Sequence, residues 1–385
     1  MDHLKLLDLF KSKYKSSSPR VFRSPGRINI IGEHTDYNEG FVLPAGVDKE
    51  IVMVLGANST DTCNVYSLDQ EEEVIFTFSE YLSVKEEWAK YIIGIVDQLL
   101  KSGHRIGGFD CVFGGDIPIG AGMSSSAALE CATLFGIDQL FSLSLSKLDM
   151  ALMAQRAENQ FVGVNCGIMD QFASVFAEKN KAIKLDCRDL TYEMYSLDLE
   201  GYQFVLVDSM VKHSLASSEY NVRRAECEEG VAFLNSRYPA VKSMRDASIT
   251  QLESVKSDLD PGVFKRCHYI INEISRVSKA AEAMGKQDLK ELGKLLYETH
   301  QGLQHEFEVS CEELDFLVDF TREREDVLGA RMMGGGFGGC SINLVQMSRI
   351  EDFTLQVEKA YMKKFGQRPF VYQVYTEKGT SEILS

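Results

Sequence analysis

Between residues 114 and 126 the chain reads Gly114-Gly115-Asp116-Ile117-Pro118-Ile119-Gly120-Ala121-Gly122-Met123-Ser124-Ser125-Ser126, leaving a β-rich run and entering a helix-forming one. Glycines let the backbone approach a ligand closely, and a helix start offers free N–H groups and the positive end of a dipole. Together they form a cradle for phosphate. The segment lacks the lysine of a Walker loop and the third glycine of a dinucleotide fingerprint. A plain Gly-rich turn with Ser124 as N-cap is the competing reading. Three serines are one more than capping needs, and the spare hydroxyl suits a metal ion.

Two acidic residues stand where they need a reason. Glu158 ends a predicted helix over 146–161 on the stripe of Leu152 and Gln155, so it extends an inward face. A carboxylate turned inward is costly unless it meets a cation or a metal; otherwise it is an exposed residue at a helix end. Asp170 lies between the turn at Gly163–Gly167 and an apolar helix start, where a first-turn acid also suits the dipole. The segment Arg27-Ile28-Asn29-Ile30-Ile31-Gly32-Glu33-His34-Thr35-Asp36-Tyr37-Asn38 runs from an apolar strand into a dense polar cluster. That cluster fits a metal site, a set of hydrogen bonds to a polyol, or a solvated loop. Gly334-Gly335-Gly336-Phe337-Gly338-Gly339 costs too much backbone freedom for an ordinary turn and reads as a second ligand-facing loop.

The elements that must hold these residues follow from period and punctuation. A helix over about 2–14 opens the chain. Strands are expected at Ile28–Ile31, Ile51–Leu55, Cys63–Ser67, Val74–Phe78 and Phe109–Phe113, and helices at 86–101, 124–140 and 146–161, the last with the Ser146/Asp149 capping pattern. Strands at 182–186 and 203–208 precede a helical stretch from about 218 to 325, in which Leu289, Leu292, Leu295 and Leu296 recur at helical spacing. The tail returns to strands at Ser341–Val345 and Val371–Tyr375. The lone Trp88 falls on an amphipathic helix and reads as core. The pattern is α+β, with a packed boundary near 195 and no flexible linker.

Composition sets the outer limits. The 385 residues carry 41 Lys+Arg against 57 Asp+Glu, a net charge of −16, which argues against a nucleic-acid or acidic-membrane binder. It leaves room for an anionic small ligand held by backbone N–H groups. Nine scattered cysteines without a CxxC pair read as thiols in a reducing compartment. The N-terminus has no signal-peptide core, and no apolar run reaches the ~18 residues of a membrane span. A soluble cytoplasmic protein is expected.

Taken together, these motifs resemble the GHMP small-molecule kinases, and most closely the members that phosphorylate galactose. Gly26–Asn38 is similar to the signature of those members. Pro118-Ile119-Gly120-Ala121-Gly122-Met123-Ser124-Ser125-Ser126 is the motif shared by the superfamily, and Met333–Cys340 supports it. Segments Val164–Ser174 and Ser214–Arg224 extend the likeness, with small departures at Glu39 and Met123. The resemblance implies a two-domain α+β fold: an N-terminal ribosomal S5 domain 2-like part (1–195) and a C-terminal ferredoxin-like part (196–385), with the site in the cleft between them. The last strands are expected to be able to pack back on the first domain. It further implies ATP and Mg²⁺ as cofactors and transfer to the C1 hydroxyl of α-D-galactose. On that basis Asp170 would face the hydroxyl as base with Arg27 beside it. Glu33, His34, Thr35, Asp36, Gly167 and Tyr220 would contact the sugar. Gly120, Ala121, Gly122, Met123, Ser124, Ser125, Ser126 and Ser67 would hold the nucleotide, and Ser126 and Glu158 the metal. An adjacent guanidinium favours the charged carboxylate, so the pair is expected to orient the hydroxyl more than to deprotonate it fully. The resemblance further implies a monomer with small-molecule partners. Kinases of galacturonic acid or N-acetylgalactosamine, and a weakly catalytic galactose sensor, are the alternatives.

Overall fold

The computed structural model describes residues 2–15, 18–118, 120–211 and 216–384. Ile119 of the phosphate-loop motif and Ser214 and Leu215 of the Ser214–Arg224 segment lie outside the described residues.

In chain order the first part comprises α1 (His3–Lys13), β1 (Arg20–Asn29), β2 (Phe41–Val42), β3 (Pro44–Ala57), β4 (Thr62–Ser67), β5 (Glu72–Thr77) and α2 (Lys90–Lys101). It continues through β6 (Phe109–Gly115), α3 (Ser125–Phe141), α4 (Lys147–Ala157), α5 (Met169–Phe176), β7 (Lys181–Asp186) and β8 (Tyr192–Ser196). The second part holds β9 (Tyr202–Asp208), α6 (Ala216–Arg237), α7 (Ile249–Ser254), α8 (Pro261–Gly285), α9 (Leu289–His305) and α10 (Glu312–Arg322). It closes with β10 (Val327–Met332), β11 (Cys340–Gln346), α11 (Ile350–Phe365), β12 (Phe370–Gln373) and β13 (Ser381–Ile383).

Strand alternation decides the first layer. In β4 every second residue is buried (Cys63, Val65, Ser67), and the sheet runs β13-β1-β3-β6-β4-β5. Helix α3 packs against β1 and β3, and α2 and α4 pack against α3. Helix α1 covers the other face with Leu6 and Phe10 against Val52, Val54 and Val112. The second sheet has the order β10-β11-β9-β12. Its chain path (strand, helices, two strands, helix, strand) makes it the ferredoxin-like unit that was expected. Strands β2, β7 and β8 form a small third sheet, and the expected boundary at 195/196 falls at the end of β8. Strand β13 pairs with β1, carrying the chain end back onto the first sheet.

Several elements differ from the sequence reading. Helix α11 falls between the two strands expected in the tail, where no helix is expected; Ile350, Phe353, Val357 and Tyr361 are buried at helical spacing. Strand β10 was missed because Gly329 and Arg331 interrupt its apolar pattern; Arg331 is nevertheless wholly buried. The helix at 146–161 ends at Ala157 and widens into a π turn over Glu158–Val162. Glu158 is buried as expected, but on the stripe of Ala151 and Ala154, whereas Leu152 and Gln155 are half-buried beside it. Trp88 sits in a single 3-10 turn ahead of α2, half-buried, with its indole N–H donating to Glu72 at 3.0 Å.

Helix α9 meets β10 at a backbone contact that only glycine allows. A Cβ on Gly293 would lie 2.1 Å from Leu328 O, and one on Gly329 would lie 2.2 Å from Gly293 O. Alanine in a helix interior ordinarily gains about 0.5–1 kcal/mol over glycine. Here overpacking reverses the sign: Gly293→Ala is expected to lose about 2 kcal/mol net in urea unfolding, and a gain would contradict this packing.

Candidate active site

Strand β1 delivers Arg27 to the place where two loops meet. Its Nε donates to Asp170 Oδ1 at 2.8 Å and its Nη2 to Oδ2 at 2.9 Å, the two-pronged geometry a planar guanidinium makes with a carboxylate. Its Nη1 donates to Gly122 O, and its backbone N–H donates to Met123 O at 3.1 Å. One side chain thus ties the phosphate loop to the acid. Asp170 is the second residue of α5, where the dipole favours a carboxylate.

Ser124 does not cap α3, contrary to the plain-turn reading. Its backbone is left-handed at φ +58°, and its Oγ donates to Asp170 Oδ2 at 2.5 Å. Its hydroxyl makes no capping hydrogen bond to the helix start. Ala128 N–H reaches back to Ser124 O, so the N–H groups ahead of it have no acceptor in their own helix and stay available to an anion. Gly122, at φ +72°, brings the loop against the glycine-rich segment: a Cβ there would lie 3.2 Å from Met333 O.

The polar cluster after β1 is held from the opposite domain. Arg331 on β10 is fully buried and donates to Ile30 O at 2.9 Å, to Asn29 O, and to Glu33 Oε1 at 2.9 Å. Gly334 N–H also donates to Glu33 Oε1, at 2.7 Å, and Asn29 donates to its other oxygen. Burial opposes charge on Glu33, but Arg331, Arg27 and these donors hold it below the ordinary carboxylate range. His34 is buried at φ +65°, a conformation non-glycine residues rarely adopt. Its Nδ1 lies 2.9 Å from the Tyr37 hydroxyl, and its Nε2 has no partner. Burial depresses its pKa to about 4, leaving a neutral ring with one free nitrogen.

Asp36 packs on Gly167 so closely that a Cβ there would fall 2.0 Å from its Oδ2. Burial, and then the charge of Asp170, raise Asp36 to about 7. Glu158 also rises to about 7, for the same two reasons in the same order, although Cys166, Ser126 and Gln171 all hydrogen-bond to it.

These groups converge on a cavity of about 200 Å³ lined by Arg27, Glu33, His34, Asp36, Glu158, Gly167, Asp170, Tyr220, Gly334 and Gly335, among others. It is smaller than the ~300–1,000 Å³ of pockets for drug-sized ligands. A larger cavity of about 470 Å³, between Asp48, Lys179, Tyr202 and Tyr375, gathers no comparable set of groups. Of the expected sugar contacts Thr35 is not brought to the small cavity, and of the expected nucleotide contacts neither Ser67 nor Gly120–Ser126 lines it. Thr35 spends its hydroxyl on Gly32 O and Phe41 O, closing the turn. Ser67 is buried at the end of β4, where its Oγ accepts from Gln70 N–H. Ala121 and Met123 are buried in the main core. Arg331 is not among the residues expected at the site; a lone arginine in an apolar run just before the glycine-rich loop is its signal in the sequence.

Residues 8–57 match the family model described as the galactokinase galactose-binding signature, 90–178 the GHMP kinases N-terminal domain, and 280–362 the GHMP kinases C-terminal domain. The galactokinase of Thermosipho africanus is 40% identical over 361 residues, covering 94% of this chain and 99% of the relative. That of Clostridium acetobutylicum is 37% identical over 389 residues, covering 100% of each. The chain belongs to the galactokinase family of GHMP kinases. The structure of Lactococcus lactis galactokinase complexed with galactose superposes with a TM-score of 0.95 at 32% identity, covering 99% of both chains. A mevalonate kinase structure, at 16% identity and a TM-score of 0.62 over 92% of this chain and 98% of its own, shares the fold. No helix among the described residues is long and apolar enough to cross a membrane.

Two outcomes follow from this geometry. Gly167→Ala is expected to displace Asp36 and lower kcat/KM for the sugar by about 100-fold or more with little change in Tm; full activity would contradict the packing of Asp36 on Gly167. A carboxyl whose folded pKa exceeds its unfolded value of about 3.9 binds its proton more tightly in the fold. Its contribution to stability is therefore complete at acid pH and is lost as pH rises through about 7. The ligand-free protein is expected to lose Tm between pH 5 and pH 8, and Asp36→Asn to flatten that slope; an unchanged slope in the variant would count against a raised Asp36.

Proposed function

We propose that this protein transfers the γ-phosphoryl group of ATP to the C1 hydroxyl of α-D-galactose, giving galactose 1-phosphate and ADP, the first committed step of galactose use by the Leloir pathway. The observation that carries this reading is the junction at Arg27. One guanidinium joins Asp170, in a monosaccharide-sized polar cavity, to the loop Gly120–Ser126 at an open helix start. Membership of the galactokinase family and the galactose-binding signature at 8–57 support the choice of sugar.

Asp36, His34 and Tyr220 line the cavity with donors and acceptors for sugar hydroxyls, the free Nε2 of His34 among them. Glu33 acts from behind, because its oxygens are taken by Arg331, Gly334 and Asn29. Asp170 receives the C1 hydroxyl. With Arg27 and Ser124 both donating to it, its role is to orient that hydroxyl and accept its hydrogen bond, while Arg27 stabilises negative charge on the transferring group. Arg27 is the cation of the cavity lining and is already paired, which disfavours an acidic sugar such as galacturonate.

Ser126 and Glu158 fit Mg²⁺. They bring a hydroxyl and a carboxylate oxygen together, and the buried Glu158 has no ion-pair partner among the described residues. Hard oxygen donors with a single carboxylate suit an ion that keeps water and substrate phosphate ligands. No cluster of three or more His, Cys, Asp or Glu residues that could hold a metal occurs among the described residues, so the donor set is not an all-protein cage. When bound, Mg²⁺ supplies charge neutralisation on the phosphate oxygens. The reading includes a soluble, cytoplasmic, monomeric enzyme without nucleic-acid or membrane partners, and the net charge of −16 supports the absence of such partners.

Coupled ADP release with galactose, galacturonate, N-acetylgalactosamine, arabinose and mevalonate tests the substrate. Turnover is expected with galactose, and phosphorus NMR should place the product phosphate on C1. Release of ADP with none of the sugars would overturn the assignment. Asp170→Asn is expected to lower kcat by roughly 10²–10⁴-fold while the protein stays folded and still binds ATP; near-normal turnover would remove Asp170 from the reaction.

A further inference from the structure

Behind Glu158 runs a line of buried polar groups that the mechanism above leaves unused. Glu130 lies on α3 one turn beyond Ser126, is wholly buried, and has no cationic side chain paired with it among the described residues. Its Oε2 accepts from Gln171 Nε2 at 3.1 Å. The same Nε2 donates to Glu158 Oε2 at 2.6 Å, and Gln171 is itself wholly buried. The other oxygens, Glu130 Oε1 and Gln171 Oε1, have no partner. Around them α3 is apolar: Ala128, Leu129, Cys131, Ala132 and Leu134 all belong to the main core.

A carboxylate in such surroundings is expensive, and an apolar residue of similar volume would pack there at lower cost. Its retention calls for a polar task. A carboxamide presents a donor on one side and an acceptor on the other, and the two faces exchange when the group turns over. With Glu130 and Glu158 both accepting from Nε2, the donor end of Gln171 is held toward the two carboxyl groups. Without it, Gln171 Oε1 is free to turn toward Glu158, setting one acceptor against another.

We propose that Glu130 is a positioning residue which, through Gln171, fixes the carboxylate of Glu158 in the orientation that receives the divalent cation. This rests on the reading that Ser126 and Glu158 hold Mg²⁺. Ligand carboxylates are commonly held by hydrogen bonds of this kind, and removing such a partner typically weakens metal affinity by about 10–100-fold.

The test is the affinity of the full chain for Mn²⁺, followed by electron paramagnetic resonance in the presence of a non-hydrolysable ATP analogue. Galactose affinity by calorimetry and Tm serve as controls. Glu130→Leu is expected to weaken Mn²⁺ binding by about tenfold or more and to raise KM for Mg-ATP, with galactose affinity unchanged. Glu130→Gln, whose amide oxygen can still accept from Gln171 Nε2, is expected to restore most of that affinity. Gln171→Met breaks the same line at its centre and should behave like Glu130→Leu, which keeps the inference testable should the leucine variant fail to fold. Unchanged Mn²⁺ affinity in Glu130→Leu and Gln171→Met would overturn the proposal, as would a Glu130→Gln variant as weak as the leucine one. Glu158→Gln separates the two levels. If it too keeps full Mn²⁺ affinity, the metal reading itself fails; if it alone loses affinity, only the role of Glu130 fails.

Discussion

A guanidinium with no exposed surface holds the two halves of the cavity together. Arg331 comes from the ferredoxin-like sheet, and the acceptors it reaches across the cleft (Asn29 O, Ile30 O and Glu33) lie at the last residue of β1 or just after it. Burying an ion pair is seldom stabilising in itself, because desolvation offsets the attraction unless the geometry is good and the remaining hydrogen bonds are met. Here they are met: Gly334 and Asn29 take up further acceptor positions on Glu33. What the pair fixes is register. It sets the signature turn carrying His34 and Asp36 against the glycine-rich loop, and that loop against Gly122. Tyr269 on α8 adds a hydrogen bond to Glu33 O at 3.1 Å, so the helical layer bears on the same turn.

The rest of the cavity runs on the opposite electrostatic logic. Asp36, Glu158 and Asp170 crowd a small space in which, among the described residues, Arg27 is the cation that pairs with them, and two of the three are pushed up to about 7. A ligand-free site of this kind favours protons, a metal ion, or sugar hydroxyls that can donate. On the proposed reading the phosphates would be served by backbone N–H groups and a helix start, and neither enters a count of lysines and arginines. The net charge of −16 therefore does not conflict with an anionic cosubstrate.

Much of this was legible in the residues. Glycine and serine density marked the phosphate loop, strand period marked β3 to β6, and the signature at Arg27–Asn38 marked the sugar side. Other features depend on distance in space and leave no local trace. The partners of Arg331 (Asn29 O, Ile30 O and Glu33) lie 298–302 residues away in the chain and cannot be read from its neighbours. Ser124 reads as a helix cap until Asp170 is known to sit 2.5 Å from its hydroxyl. Thr35 was expected to contact the sugar with its neighbours, yet its hydroxyl donates to Gly32 O and Phe41 O and closes the turn that carries His34 and Asp36. Glu39, whose departure from the family pattern was visible, sits at φ +58°, where a side chain is strained, and its carboxylate accepts from Arg188 Nε at 2.9 Å.

The central claim is that Arg331 and Glu33 act as one unit in shaping the sugar cavity. A double-mutant cycle of Arg331→Met and Glu33→Gln, read both in urea unfolding and in galactose affinity of the full chain, addresses it most directly. Each single variant leaves a buried charge or an unmet acceptor and should lose about 3–5 kcal/mol of stability. The double variant should lose little more than either alone, with galactose affinity following the same non-additive pattern. Losses that simply add, in stability and in binding, would mean that the two residues act independently and that the cavity is shaped by something else.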